Sequence, residues 1–126
     1  MQREILFRGK GIDTGEWIEG SLIGNDVIVG KIVEFEWDYF CTEFWCRVDP
    51  ETVCEVTGQN DKNKKRIFEG DLLKEKFEPL EDRIYSIIWR ENLLQFWAVD
   101  NISSESYPLS DLDMYYCEVI GNIHDK

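Results

Sequence analysis

Four cysteines, one histidine and one short basic run are the residues of this 126-residue chain whose chemistry could be specific. Cys41, Cys46, Cys54 and Cys117 supply four thiols, the number that a structural zinc site takes. Their spacing argues against one. Paired cysteines of a zinc knuckle usually enclose two residues, whereas Cys41 and Cys46 enclose four and on a regular strand would face opposite ways. Free cysteines commonly fill a core as small apolar side chains. Acid–base work near neutral pH falls most often to histidine, and His124 stands beside the end of the sequence, where chains fray. A Cys–His nucleophile pair would need Cys117 and His124 to meet across a fold-back. In a chain with 26 acidic residues, the presence of paired carboxylates says nothing. The expectation is a non-catalytic chain with no metal and no cofactor.

The basic run is Lys62, Lys64, Lys65 and Arg66. A phosphate-binding P-loop requires a Gly-rich turn ending in Gly-Lys-Ser/Thr. Gly58 to Asp71 has its two glycines twelve positions apart and lacks that ending. The run reads as the solvated tip of a turn. The surrounding field supports this: net charge is −12, and Glu91 to Asp125 contains seven acids and no Lys or Arg. Such a field repels phosphate backbones and anionic lipid, so nucleic acid and membranes are disfavoured as partners. A basic partner remains compatible. No secretory signal opens the sequence, and no apolar run approaches the ~18 residues of a membrane span. The expected compartment is a reducing cytoplasm.

Aromatics are abundant: five Trp, five Tyr and seven Phe, too many for a disordered chain. Trp37, Tyr39, Phe40, Phe44 and Trp45 fall within nine positions, more than one buried face can hold. Either both faces are covered inside the domain, or some rings form an exposed interface. Trp37, Tyr39, Phe40 and Trp45, with Trp97 further on, are the interface candidates.

The elements that would position these residues have a period of two. Strands are expected near 4–8, 16–23, 27–33, 34–48, 53–57, 71–77, 83–90, 93–99, 107–109 and 116–123. Turns are expected at Gly24-Asn25-Asp26, at Gly58 to Arg66 and at Glu91-Asn92. The β-branched run Val27 to Val33 suits a strand buried on both faces. Asp49-Pro50-Glu51 breaks a ladder, and single helical turns fit 49–53 and 109–114, the latter capped by Ser110 or Asp111. Many short strands and no long helical window make an all-β fold with short helical turns, a small barrel or sandwich. The expected core is Ile5, Phe7, Trp17, Ile28, Ile32, Leu72, Ile84, Ile87, Trp89, Phe96, Val119 and Ile123.

Three stretches in order then carry a resemblance. These are Arg3-Glu4-Ile5-Leu6-Phe7-Arg8, the central Thr57-Gly58 … Asp61-Lys62-Asn63 … Ile67-Phe68-Glu69-Gly70-Asp71-Leu72, and the closing Cys117-Glu118-Val119-Ile120-Gly121-Asn122-Ile123. With Val48-Asp49-Pro50-Glu51-Thr52-Val53 they resemble the YopX family. The resemblance implies a phage or prophage origin and a single domain over 1–126. It also implies an SH3-like small barrel over 67–126, with an N-terminal β region over 1–57 packed on it. It attaches no catalytic residue to these motifs. The family often has Gly after Asp-Lys-Asn; Lys64 stands there, so the left-handed turn residue would be Asn63. Gly70-Asp71 should form the tight start of the first barrel strand.

These readings favour a non-catalytic module that binds a protein or itself, a homo-oligomer included. An acidic decoy that mimics DNA toward a host DNA-binding protein is the alternative. A small-barrel nucleic-acid binder built on Lys62, Lys64, Lys65 and Arg66 comes next.

Overall fold

The computed structural model of the chain describes residues 3–76 and 78–125. The described residues are mainly β, with thirteen strands and three short 3-10 turns among them. The chain divides into two compact units, one up to Glu55 and one from Val56.

The first unit contains β1 (Phe7–Lys10), β2 (Trp17–Ile23), β3 (Val27–Val29), β4 (Ile32–Phe35), β5 (Phe40–Thr42) and β6 (Trp45–Arg47). It also contains the first two residues of β7 (Cys54–Asn60). Antiparallel pairing gives the order β6–β3–β2–β1, with Cys54 and Glu55 on the far side of β1. The β2–β3 turn is Gly24-Asn25-Asp26, with Gly24 at φ +64°, a left-handed angle that glycine takes without strain. Gly20 is required by close approach: a Cβ there would collide with the Val29 carbonyl oxygen. Ile28 and Val48 are fully buried. After β6, Asp49 caps a 3-10 turn over Pro50–Thr52 by accepting from the Glu51 amide at 3.0 Å. The Thr52 hydroxyl ties that turn to β1, accepting from the Lys10 amide at 2.9 Å.

The second unit contains the rest of β7 with β8 (Arg66–Phe68), then β9 (Asp71–Glu75), β10 (Arg83–Arg90), β11 (Gln95–Asp100), β12 (Ser106–Pro108) and β13 (Cys117–Asn122). The last five form one antiparallel sheet in the order β12–β11–β10–β9–β13. Its core is Ile67, Leu73, Tyr85, Ile87, Ala98, Leu109, Cys117 and Val119. The period of two explains the selection: Tyr85 and Ile87 alternate inward along β10, while Ile84 faces out opposite Lys74. The barrel expectation is met only as an open sheet; among the described residues no ladder joins β12 to β13.

Other expectations are corrected. The run Val27 to Val33 is two strands with a break at Gly30-Lys31, and its second half is exposed rather than buried. Strand β7 runs on to Asn60, where a polar turn was expected from Gly58. Phe77, placed at the end of the 71–77 strand, lies outside the described residues. The turn at 109–111 has no side-chain cap from Ser110 or Asp111, and Asp113 caps the next one by accepting from the Tyr115 amide. Ile5, Ile32, Ile84, Trp89 and Ile123 are exposed, not core. Ile5 and Ile123 lie outside their strands, and Ile32 lies on β4, every residue of which is exposed. Trp89 sits at the end of β10, edge-on to Phe96 at 4.9 Å, with its indole N–H donating to Glu91.

A candidate protein-binding arm

The residues from Val27 to Arg47 run out and back as one interrupted hairpin, so the strand expected over 34–48 is instead the end of β4, a tip, β5 and β6. Its base pairs Val27 with Arg47, Ile28 with Cys46 and Val29 with Trp45. The ladder continues through the Gly30 amide to the Phe44 carbonyl (3.0 Å) and the Glu43 amide to the Lys31 carbonyl (2.9 Å). Past an irregularity between Ile32 and Glu34 it ends with Phe35 opposite Phe40, and the Glu36 amide donates to the Tyr39 carbonyl to close the tip. Strand β2 supports only the base. Gly30 is required there by close approach: a Cβ would lie 2.7 Å from the Phe44 ring.

Beyond the base, both faces of this arm carry solvated apolar groups. Every residue of β4 is exposed. Trp37 is 93% exposed, Phe35 71% and Trp45 70%. The Phe35 and Phe40 rings stack with centroids 6.3 Å apart. Tyr39 donates to Glu34 Oε1 at 2.8 Å, and this carboxylate partner, with some burial, pushes its phenol up. At the base, Ile23, Val27, Val29 and Trp45 floor a groove of about 440 Å³, walled by Phe40, Cys41 and Thr42. Four of the five sequence-derived candidates, Trp37, Tyr39, Phe40 and Trp45, therefore share one element. Trp97 does not: it is half-buried on β11 with the Arg90 guanidinium 5.1 Å from its ring centroid. Sequence reasoning missed Ile32, Val33 and Phe35. The available signal was Gly30 interrupting a β-branched run just before the alternation filled both faces.

The basic turn has an architectural centre. Asp61 Oδ1 accepts from the Asn63 and Lys65 amides at 2.8 and 2.9 Å, and Oδ2 from the Val119 amide at 2.9 Å. The Lys62 amide donates to the Cys117 carbonyl at 3.0 Å. The turn thus holds the outer edge of β13, while Lys62, Lys64, Lys65 and Arg66 are exposed. The left-handed residue is Lys64, at φ +64°, and not Asn63. Gly70 has φ +84°, as the tight start of β9 requires, and the following Asp71 accepts from the Phe68 amide and the Asn122 side-chain amide.

The clearly shifted acidities belong to buried or hydrogen-bonded groups. Burial pushes the Cys117 thiol up to about 12, with Glu75, Asp113 and Asp61 adding to it. Burial likewise pushes the Tyr85 phenol up to about 12, beside the Glu75 carboxylate to which it donates. Asp100 is held below the usual carboxylate range by the Ile102 and Ser103 amides. Among the described residues no three His, Cys, Asp or Glu side chains gather as a metal site. Nor is any helix among them long and apolar enough to cross a membrane.

No curated protein matches the chain. A similar solved structure is that of protein EF1440 from Enterococcus faecalis, with a TM-score of 0.63 and 20% identity. The match covers 98% of this chain and 95% of that one; at this identity it speaks for the fold alone. The family model for the YopX protein matches residues 6–126. That span takes in the central and closing motifs quoted from the sequence and the last three residues of the opening one, and the chain belongs to the YopX family.

Proposed function

We propose that this chain is a non-catalytic protein-binding module whose contact element is the arm from Gly30 to Phe44. The observation that carries this is a two-stranded arm with aromatic and aliphatic groups in solvent on both faces. An isolated two-stranded hairpin is marginal in water, and an exposed apolar surface of this kind marks an interaction site. The arm also carries Glu34, Glu36, Asp38 and Glu43 against a single Lys31. Its partner is therefore a protein with an apolar patch rimmed by Lys and Arg; a second copy would set acid against acid. A phage-derived module acting on a host protein in the bacterial cytoplasm fits this chemistry. The acidic-decoy alternative needs carboxylates free in rows, whereas Asp49, Asp61, Asp71, Asp100 and Asp113 are tied to backbone amides.

The test is a random peptide library panned on the chain and counter-selected on the Phe35→Ser/Trp37→Ser double variant. Wild-type-specific enrichment of sequences combining apolar residues with Lys or Arg supports the reading. Equal enrichment on both proteins overturns it. A native mass that doubles with concentration, and does so only with the arm intact, replaces it with self-association.

A further inference from the structure

We infer that the outer edge of β6 around Trp45 accepts an extended segment of another protein as an added strand. The segment would alternate apolar residues with Lys or Arg. This deepens the arm reading and rests on it.

The backbone supplies the first argument. In an antiparallel pair, alternate residues turn their polar groups toward the neighbouring strand and the others turn them outward. The Val48 amide reaches the Asp26 carbonyl and the Gly30 amide reaches the Phe44 carbonyl, at 2.8 and 3.0 Å. Residues 44, 46 and 48 thus face β3, and residues 45 and 47 face outward. The Arg47 carbonyl is taken by the Ile12 amide at 3.1 Å. The Trp45 N–H and C=O have no partner among the described residues.

The segment 10–12 covers this edge from Arg47 onward, through the Ile12 and Asp49 amides and a bridge between Gly11 and Val48, and leaves it open at Trp45. The two edges of the second unit's sheet, in contrast, are guarded. Strand β12 is three residues long and ends in Pro108. The outer edge of β13 is occupied by Asp61 and by the Lys62 amide. Proline, lysine and a covering loop are the usual protections of an edge; β6, Trp45-Cys46-Arg47, has no Pro or Lys, and its Arg47 is engaged with Asp26 at 3.3 Å.

The side chains supply the second argument. Trp45 stands opposite Val29, and with Val27 and Ile23 it floors the groove. A strand laid along Trp45 would put every second side chain on that floor, which gives specificity to pairing that the backbone drives. The acids of the arm favour a basic residue at the alternate positions, and they disfavour a second copy of this chain.

The probe is a synthetic peptide of about eight residues, alternating Val and Lys, with a Val/Glu peptide as its control. Hydrogen exchange is read at the Trp45 amide of the intact chain. The expected result is about tenfold slower exchange at Trp45 with the Val/Lys peptide and no change with the Val/Glu peptide. Trp45→Pro, which removes the outward N–H at an edge position, should lose binding, while Trp45→Ala should retain part of it. If Trp45→Pro fails to fold, exchange in the wild-type chain still decides. Binding that depends on Trp37 but leaves Trp45 exchange unchanged overturns the added strand and leaves the arm reading in place. No binding of the Val/Lys peptide also overturns the inference, as does concentration-dependent protection of Trp45 without peptide.

Discussion

The Val119 amide donates to Asp61 Oδ2 at 2.9 Å across 58 positions of sequence. With the Asn63 and Lys65 amides, it makes Asp61 the acceptor of three backbone donors at a nearly buried site. Asp61→Ala strands all three, and charged hydrogen bonds of this kind stabilise by about 1.5–3 kcal/mol each before relaxation. The expected loss is about 3 kcal/mol by urea unfolding, and less for Asp61→Asn, which keeps an acceptor. A loss under about 1 kcal/mol for the alanine variant would remove Asp61 from its place as the clamp.

Lys64 holds a left-handed angle that costs a side-chain-bearing residue about 1–2 kcal/mol. Lys64→Gly should therefore stabilise the chain by about 0.5 kcal/mol, after the extra freedom glycine gains when unfolded is deducted. Asn63→Gly should bring no gain. The melting temperatures of the two variants compare them directly.

Trp89 and Ile87 belong to the same strand face but differ in burial, Trp89 being 39% exposed and Ile87 0%. Ile87→Ala should cost about 2–5 kcal/mol, the range for a filled core site. Trp89→Ala should cost less, about 1–2 kcal/mol, mainly through its contact with Phe96. Equal losses in parallel denaturant curves would contradict this placement.

Cys117 and Tyr85 set a prediction in alkali. Their ordinary values, 9.0 and 10.0, both rise to about 12 in the folded chain. A raised folded value means that the protonated form is favoured by folding. The contribution is complete below pH 9 and is lost as pH climbs toward 12, at up to about 1.4 kcal/mol per pH unit per group. Urea midpoints should hold from pH 7 to 8.5 and fall from pH 9 to 10.5. Cys117→Ala should flatten the first part of that fall.

Removing rings from the arm should leave stability alone. Trp37→Ser lies in solvent, and the change in unfolding free energy should stay within about 0.5 kcal/mol. A larger loss would mean that Trp37 is covered within the chain, and the interface reading would lose its main residue.

Much of the second unit was legible because its strands obey one face and one period. The Arg83–Arg90 strand is found at its expected boundaries, and Val119 and Ile87 are in the core. The arm was legible only in composition. Periodicity reports which residues share a face, not whether anything lies against it, so Ile32 looked like core. Trp89 failed for a related reason: parity puts it on the inner face, but the core ends before the strand does. The clamp was legible as a motif without its role, because a bond from residue 61 to residue 119 leaves no trace in local spacing.

The pairing plan also orders events in time. Every strand pair of the first unit is complete by Glu55, whereas β9 must wait for β13, and Asp61 for Val119. A chain made from its N-terminus onward can thus present its aromatic arm while the second unit is still incomplete. Pulse-labelled nascent chains should show amide protection in β1 and β2 before any appears in β9; simultaneous protection would mean that the two units form together.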